Sequence, residues 1–532
     1  MSSSHTLAEP RPSSRARLAA SLLLALSAVW CVYWFVHAAG YLEDDAYIHL
    51  EFARSLAAGK GFAFNGRVVD GDTAPLWVFL LAAVHAVVPN WIDASKTLSV
   101  LGALFGCAGI YAYARSFGAS LLPPELAEVF PAAILLLTVI NPYSCYWLFS
   151  GMECFAAAGL ACFAVLAASR SRPTPASLLL ACLLAGIAPL VRPEMFFLSA
   201  LLAVPLLAQW LRMPASPAKT LALAGGLVLL IAPLALWSIY SLHAFGHLLP
   251  NTNAAKRAGP TQSVPLRLVS IYSLGFPIIV AGLLAAAPCL AFKPSTVRRS
   301  LRGALSSAFE PASEAASPDA ALPLSGWIFI LWFLVATVFY IANRTYVQTR
   351  YILVPAPGLI VVVLALVLRS CRIAGRALYA AAFLWALAIS LVIVRPFIRN
   401  RALLCVQTDK LAQFIRNRLP PDAPVAVYAI GQIAFVSQHP IVDIGGITRP
   451  DADPYLNIHG ELMQWAKSQG ALYNIDANQP DPGAVPVYTE RFPYIGWTLR
   501  TSLYSTSANV SIWRFAPSQP AQPSPGQPAT GR

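Results

Sequence analysis

Between Leu18 and Val394 the chain passes through a succession of apolar stretches, most of them near the twenty residues a helix needs to cross the hydrocarbon core of a bilayer. Inside lipid such stretches satisfy their own backbone polar groups only as helices, so the chain reads as a polytopic α-helical membrane protein. Composition agrees: of 532 residues, 57% are hydrophobic and 11% charged, and mean hydropathy is +0.61. A soluble protein carries about a quarter charged residues, which excludes an ordinary soluble fold. The net charge of +13 invites a nucleic-acid reading. The basic residues, however, sit in small groups between apolar runs, as in cytoplasmic loops, so membrane lipids and not nucleic acid are the expected surroundings.

Twelve stretches can be drawn. The one from Leu76 to Val88 has thirteen residues between Pro75 and Pro89, a length more typical of interfacial or re-entrant segments. About eleven crossings remain, beginning near Leu18, Leu98, Ala127, Cys154, Ala176, Met195, Thr220, Leu268, Leu322, Tyr351 and Ala377, with twelve or thirteen as alternatives. A cytoplasmic N-terminus (residues 1–17) then puts Arg115, Arg170, Arg172, Arg212, Lys219, Lys293, Arg298, Arg299, Arg302, Arg369, Arg372 and Arg376 in cytoplasmic loops, as the positive-inside rule requires. Making Leu76 to Val88 a span would invert every later loop. The first stretch follows Arg11, Arg15 and Arg17, lacks a convincing cleavage site and reads as a retained signal anchor.

The same assignment places the region from about Arg399 outside the membrane. Residues 399–515 are richer in Asp, Asn, Pro and Gly, and short apolar runs at Val425 to Tyr428 and Pro440 to Val442 predict strands of a small α/β domain. An amphipathic helix is expected from Thr408 to Leu419, ended by Pro420 and Pro421. The tail 516–532 and much of Ala304 to Ala321 have the composition of disordered segments. Eight of nine cysteines lie in or beside apolar runs without metal-type spacing and read as small core residues; only Cys405 falls in the polar region. No internal repeat is visible.

The strongest local signal follows the first span: Glu43, Asp44 and Asp45, then Tyr47, His49, Glu51, Arg54, Gly59 to Phe62, Asn65 and Gly66, and Asp70 to Thr73. Three consecutive acids at a membrane boundary are costly unless they bind something. Two readings compete. Asp44 or Asp45 caps the helix that carries Tyr47, Leu50 and Ala53 at helical spacing, or the pair serves as general base on an acceptor hydroxyl with a second carboxylate positioning donor or metal. Polar groups elsewhere favour the second, because the topology puts them on the same face: Ser150 to Glu153, Arg192 and Glu194, Asn251 to Asn253 with Lys256, and Gln348 to Tyr351. Arg192, Lys256 and Arg350 suit a lipid-linked phosphate, Arg as a fork and Lys as a point charge.

Taken in order, these residues resemble the polyprenyl-phosphate-dependent integral-membrane glycosyltransferases of the GT-C fold, in particular the bacterial arabinofuranosyltransferase-like branch. The resemblance runs through Asp44-Asp45-Ala46-Tyr47-Ile48, Phe52-Ala53-Arg54, Gly59-Lys60-Gly61-Phe62, Phe64-Asn65, Gly71-Asp72-Thr73, Leu76-Trp77, Gly151-Met152-Glu153, Arg192-Pro193-Glu194, Pro250-Asn251-Thr252 with Lys256, and Arg350-Tyr351, and loosely through Ile430-Gly431-Gln432-Ile433 and Val442-Asp443-Ile444-Gly445. It implies a GT-C-like membrane domain over residues 18–398, with its first outer loop at 40–97. It also implies an inverting transfer from a polyprenyl-phosphate sugar to a glycan or lipid acceptor, on the outer face of a bacterial inner membrane. Asp44 is the expected base, and Asp45 its partner in positioning acceptor or an optional divalent cation. Tyr47, Arg54, Asp72, Thr73, Glu153, Arg192, Glu194, Asn251, Asn253, Lys256, Arg350 and Tyr351 are the expected substrate contacts. Gly71-Asp72-Thr73-Ala74-Pro75, His49 and Glu51 depart from the branch's pattern, so arabinose is not carried over. A transporter of lipid-linked sugars is the alternative, without the repeated broken helices usual for alternating access.

Overall fold

The computed structural model describes residues 12–258, 263–286, 301–303, 305, 322–370, 373–492 and 507–516. The tail 516–532 beyond its first residue, most of Ala304 to Ala321, and Lys293, Arg298, Arg299 and Arg372 lie outside them.

Six described helices are long and apolar enough to cross a membrane: Ser14–His37, Trp91–Leu121, Met195–Arg212, Pro217–Phe245, Leu324–Ala342 and the continuous run Ala380–Arg418. Shorter apolar helices stand among them at Pro124–Ile140, Cys154–Ala168, Pro175–Val191 and Ala356–Ser370. Large apolar side chains point outward along the membrane helices, among them Leu22, Val29, Leu104, Val228, Leu236 and Val338, as lipid-facing surfaces require. Packing between helices relies on close backbone approach. A Cβ on Gly109 would meet the Gly159 carbonyl at 2.5 Å, and one on Gly186 the Leu229 carbonyl at 2.2 Å. The helix Pro75–His85 has 11 residues and rises only about 16 Å, half the hydrocarbon thickness.

The amphipathic helix expected from Thr408 starts earlier. It is the end of Arg395–Arg418, joined to the last membrane helix through a π-helical turn at Ser390–Val394. The boundary expected near Arg399 falls inside this continuous helix, where Arg401 is buried and pairs with Glu43.

The C-terminal unit is the small α/β domain the sequence suggested, built on a five-stranded mixed sheet. Its strands are β3 (Val425–Val427), β4 (Ile441–Asp443), β5 (Tyr473–Asp476), β6 (Val485–Phe492) and β7 (Ala508–Arg514), in the order β4-β3-β5-β7-β6. β3 runs parallel to β4 and β5, whereas β7 is antiparallel to β5 and β6. Helices Ile430–Ser437 and His459–Ser468 pack beside it. In the loop after the first apolar helix, the hairpin β1 (Ala63–Phe64) and β2 (Arg67–Val68) turns at Asn65 and Gly66, both at positive φ, as a tight two-residue hairpin demands.

Candidate active site

Helix Asp44–Ala57 opens the site, with Glu43 at its N-cap position and no side-chain cap bond. The cap reading of Asp44 and Asp45 therefore gives way: both are helical, and their carboxylates serve other segments. The three acids diverge to three partners. Glu43 accepts from Arg401 at 2.9 Å and from the hydroxyls of Tyr41 and Tyr146. Asp44 accepts the Gly431 N–H at 3.1 Å on one oxygen and the Gln432 N–H at 2.9 Å on the other. Asp45, its side chain 29% exposed, pairs with Arg350.

Burial above all, with help from the neighbouring Asp45 charge, pushes the Asp44 carboxyl up to about 6, although the two amides oppose the shift. For Asp45 burial acts in the same direction, but Arg350 and Lys256 outweigh it and hold the carboxyl below its ordinary value. Adjacent residues are thus driven apart in acidity, the usual mark of a division of labour between two carboxylates.

One turn along the helix from Asp45, on the same face, is buried His49. Its Nδ1 contacts Asp72 Oδ2, and its Nε2 lies 3.3 Å from Glu153 Oε2. A ring with a carboxylate on each nitrogen is an imidazolium, and despite burial these acids raise its pKa to about 10. Glu153 in turn pairs with Arg192, which pairs with Glu194. The result is a buried chain of alternating charge, Asp72, His49, Glu153, Arg192 and Glu194, in which Arg192 is 2% exposed.

Arg192 ends beneath Tyr351. Its guanidinium carbon is 5.3 Å from the ring centroid, with Lys256 Nζ at 5.1 Å and the Arg350 guanidinium at 5.6 Å. Three cations from three separated segments thus surround one aromatic ring. Lys256 also donates to the Tyr351 hydroxyl and has no carboxylate partner among the described residues. Arg350 lies over Trp147 as well, at 5.4 Å.

Other expected contacts lie at the margin. Asn251 is buried and its N–H donates to the Asp70 carbonyl at 3.0 Å. Asn253 accepts from Asn343 at 3.1 Å. Thr73 is half-buried, next to Asp72, whose Oδ1 accepts the Ala74 N–H at 2.7 Å. Tyr47 and Arg54 do not join the cations: Tyr47 packs on Phe435 at 5.8 Å, and Arg54 pairs with Glu51 and donates to the Phe435 carbonyl at 3.0 Å. Asp443 holds its own turn, accepting from Gly445 at 2.8 Å and from Thr448. For an optional divalent ion the fit is poor: Asp44 and Asp45 turn to separate partners, and among the described residues no group of three His, Cys, Asp or Glu side chains is placed to hold a metal.

Sequence reasoning placed Gly431 and Gln432 loosely within the family resemblance but gave their amides no role, and it missed Lys96. Lys96 donates to the Ala38 carbonyl at 2.8 Å, the Phe149 carbonyl at 3.0 Å and the Tyr41 carbonyl, tying the end of the first span to the loop before Glu153. A cation at the mouth of the apolar run that begins near Leu98 was the signal available for it.

Gly151 secures the same junction. It sits at φ +91°, and a Cβ there would meet Leu42 Cδ2 at 2.4 Å and Ala46 Cβ at 2.6 Å. Gly151→Ala should therefore destabilise the protein by about 1–3 kcal/mol through overpacking, on top of backbone strain. Thermal unfolding in detergent reads this directly; an unchanged Tm would mean that the junction is soft.

Residues 398–514 match a family described as a domain of unknown function (DUF8728). No curated protein sequence matches the chain. Among solved structures the chain is similar to ArnT from Cupriavidus metallidurans bound to undecaprenyl phosphate, with a TM-score of 0.54 at 13% identity over 94% of this chain and 98% of ArnT. Apo ArnT gives a TM-score of 0.53 at 13% identity, with the same 94% and 98% coverage. The arabinofuranosyltransferase AftD from mycobacteria covers 94% of this chain with 40% of its own length, at 14% identity and a TM-score of 0.40. The GT-C-like membrane fold expected from the ordered motifs is the fold found.

Proposed function

We propose that the protein is an inverting glycosyltransferase that moves a sugar from a polyprenyl-phosphate donor to a glycan or lipid acceptor at the outer face of a bacterial inner membrane, with residues 399–515 outside. The observation that carries this reading is the meeting of Arg192, Lys256 and Arg350 around Tyr351, with Asp45 paired to Arg350 and Asp44, of opposed acidity, next to it in the chain. Cations gathered at a membrane surface suit the phosphate of a lipid carrier. The fold shared with ArnT, which binds undecaprenyl phosphate, supports the same donor class.

In this reaction Asp44 takes the proton of the acceptor hydroxyl as its oxygen attacks the anomeric carbon from the face opposite the phosphate. The bond from that carbon to the phosphate oxygen breaks, and its electron pair leaves with the polyprenyl phosphate. Lys256 and Arg350 meet the charge that develops there, the largest electrostatic need of the transition state. Asp45 keeps Arg350 in place. Arg192, already balanced by Glu153 and Glu194, supports Tyr351.

Proteoliposomes supplied with radiolabelled polyprenyl-phosphate sugars and an acceptor test the reading. Label in the acceptor is the expected result; label that only crosses the bilayer would replace the transferase with a transporter. Lys256→Met should lower kcat/KM for the donor about 10- to 100-fold, the effect of one charge-assisted hydrogen bond. Its Tm should hardly move, because no carboxylate is left unpaired. Full activity in this variant would remove the phosphate role of Lys256.

A further inference from the structure

The C-terminal unit has no assigned role, yet it touches the expected base directly. Helix Ile430–Ser437 begins at Asp44 and ends at Arg54, two side chains of helix Asp44–Ala57. The Asp44 carboxylate takes the otherwise orphaned N–H groups of the first turn, where the helix dipole favours negative charge. Arg54 donates to the Phe435 carbonyl near the other end and stacks on the Phe435 ring at 4.6 Å, where the dipole favours a cation. One helix therefore caps both ends of the other.

The register has little room to slip. A Cβ on Gly431 would lie 2.0 Å from the Asp44 carbonyl, and one on Gly71 would lie 2.9 Å from Thr448 Cγ2. Asn65, at the hairpin turn, donates to the His439 carbonyl and accepts the Ile441 N–H, both at 2.8 Å. The Gln432 side chain donates to the Cys405 carbonyl at 2.8 Å.

We infer that helix Ile430–Ser437 is a positioning element of the active site, its Gly431 and Gln432 amides orienting the Asp44 carboxylate and favouring its ionised form. This rests on Asp44 being the base proposed above. Among the described residues, the charged and titratable groups around Asp44 are Glu43 at the N-cap, Asp45 and Tyr47 on its own helix, and Cys405, with Asp409 toward Tyr47, on the helix packed against it. Helix Ile430–Ser437 carries no ionisable side chain, so what it brings to Asp44 is amide dipoles. They counter the burial that raises the carboxyl. The unit at 399–515 is then a part of the catalytic site and not an appended module.

Gln432 is the third residue of its helix, so its N–H has no intrahelical partner, and proline is tolerated in a first turn. Gln432→Pro therefore deletes one donor to Asp44 and sets its ring Cδ against the carboxylate oxygen that the N–H held, so this contact is lost, while glycine before it eases the helical turn. Gln432→Ala keeps that N–H and removes only the side-chain bond to Cys405. In the full-length reconstituted protein, the acid limb of transfer should move to higher pH by about one pH unit in Gln432→Pro and stay in place in Gln432→Ala. Activity should recover at high pH, which a merely misfolded variant does not show. Infrared titration of Asp44, taken as the difference from Asp44→Asn, reads the same shift without turnover. Equal titration midpoints in the two Gln432 variants would overturn the positioning role. A midpoint that moves while the acid limb stays would overturn Asp44 as base and leave the amide contact standing.

Discussion

Asp44→Asn is expected to lower kcat about 10²- to 10⁴-fold, the range for a missing general base, with a much smaller change in donor KM. The substituted amide keeps one acceptor oxygen but turns an NH2 toward the amide of Gly431 or Gln432, so the contact with helix Ile430–Ser437 also weakens. Asp45→Asn separates the two effects. It frees Arg350 from its carboxylate and should act mainly on donor binding, leaving kcat closer to wild type. The pH profile adds an independent check. With its carboxyl near 6, Asp44 is ionised at pH 8 and mostly protonated at pH 5. A base must be ionised to act, so kcat/KM should fall tenfold per pH unit on the acid side of about 6. Were the acid limb to lie near the ordinary aspartate value instead, or Asp44→Asn to retain full transfer, another group would be the base.

Much of this site was legible in sequence because side of the membrane is itself a coordinate. Arg192, Lys256 and Arg350 lie far apart along the chain, yet a topology of alternating spans predicts all three on one face, and the structure gathers them around a single tyrosine ring. Topology does not choose neighbours on a face. Glu43, Asp44 and Asp45 were recognisable as acids in need of partners, because charge at a membrane boundary is expensive. Their partners were not recognisable: Arg401 lies 358 residues away and the Gly431 amide 387, and a backbone N–H leaves no mark in composition. The same limit explains Arg54, whose place in an ordered motif suggested substrate, whereas its position in the last turn of helix Asp44–Ala57 commits it to Phe435. His49 stood out only as an unusual charge. Its meaning needed Asp72 and Glu153 on either side of the ring, 23 residues away for Asp72 and in a separate loop for Glu153.

Arg192→Met should cost about 3–5 kcal/mol of stability, the penalty for breaking a buried ion pair from one side. Arg192 donates through Nη1 to Glu153 and through Nε to Glu194, and all three side chains are buried. The two carboxylates do not lose equally. Glu153 keeps His49, whose Nε2 is 3.3 Å from its second oxygen, whereas Glu194 has no other cation among the described residues. Most of the penalty should therefore come from Glu194, and Arg192→Met with Glu194→Gln should recover much of it, since removing both charges is far cheaper than stranding one. Arg192→Lys falls between: a point charge on a single Nζ does not reproduce a fork that serves two acids. Unfolding of the purified protein in detergent ranks the series as wild type, then the double variant and the lysine variant, then Arg192→Met. If the double variant proves no more stable than Arg192→Met, the cost lies in packing beneath Tyr351 and not in charge. If Arg192→Met is as stable as wild type, the alternating chain from Asp72 to Glu194 does not hold these loops together.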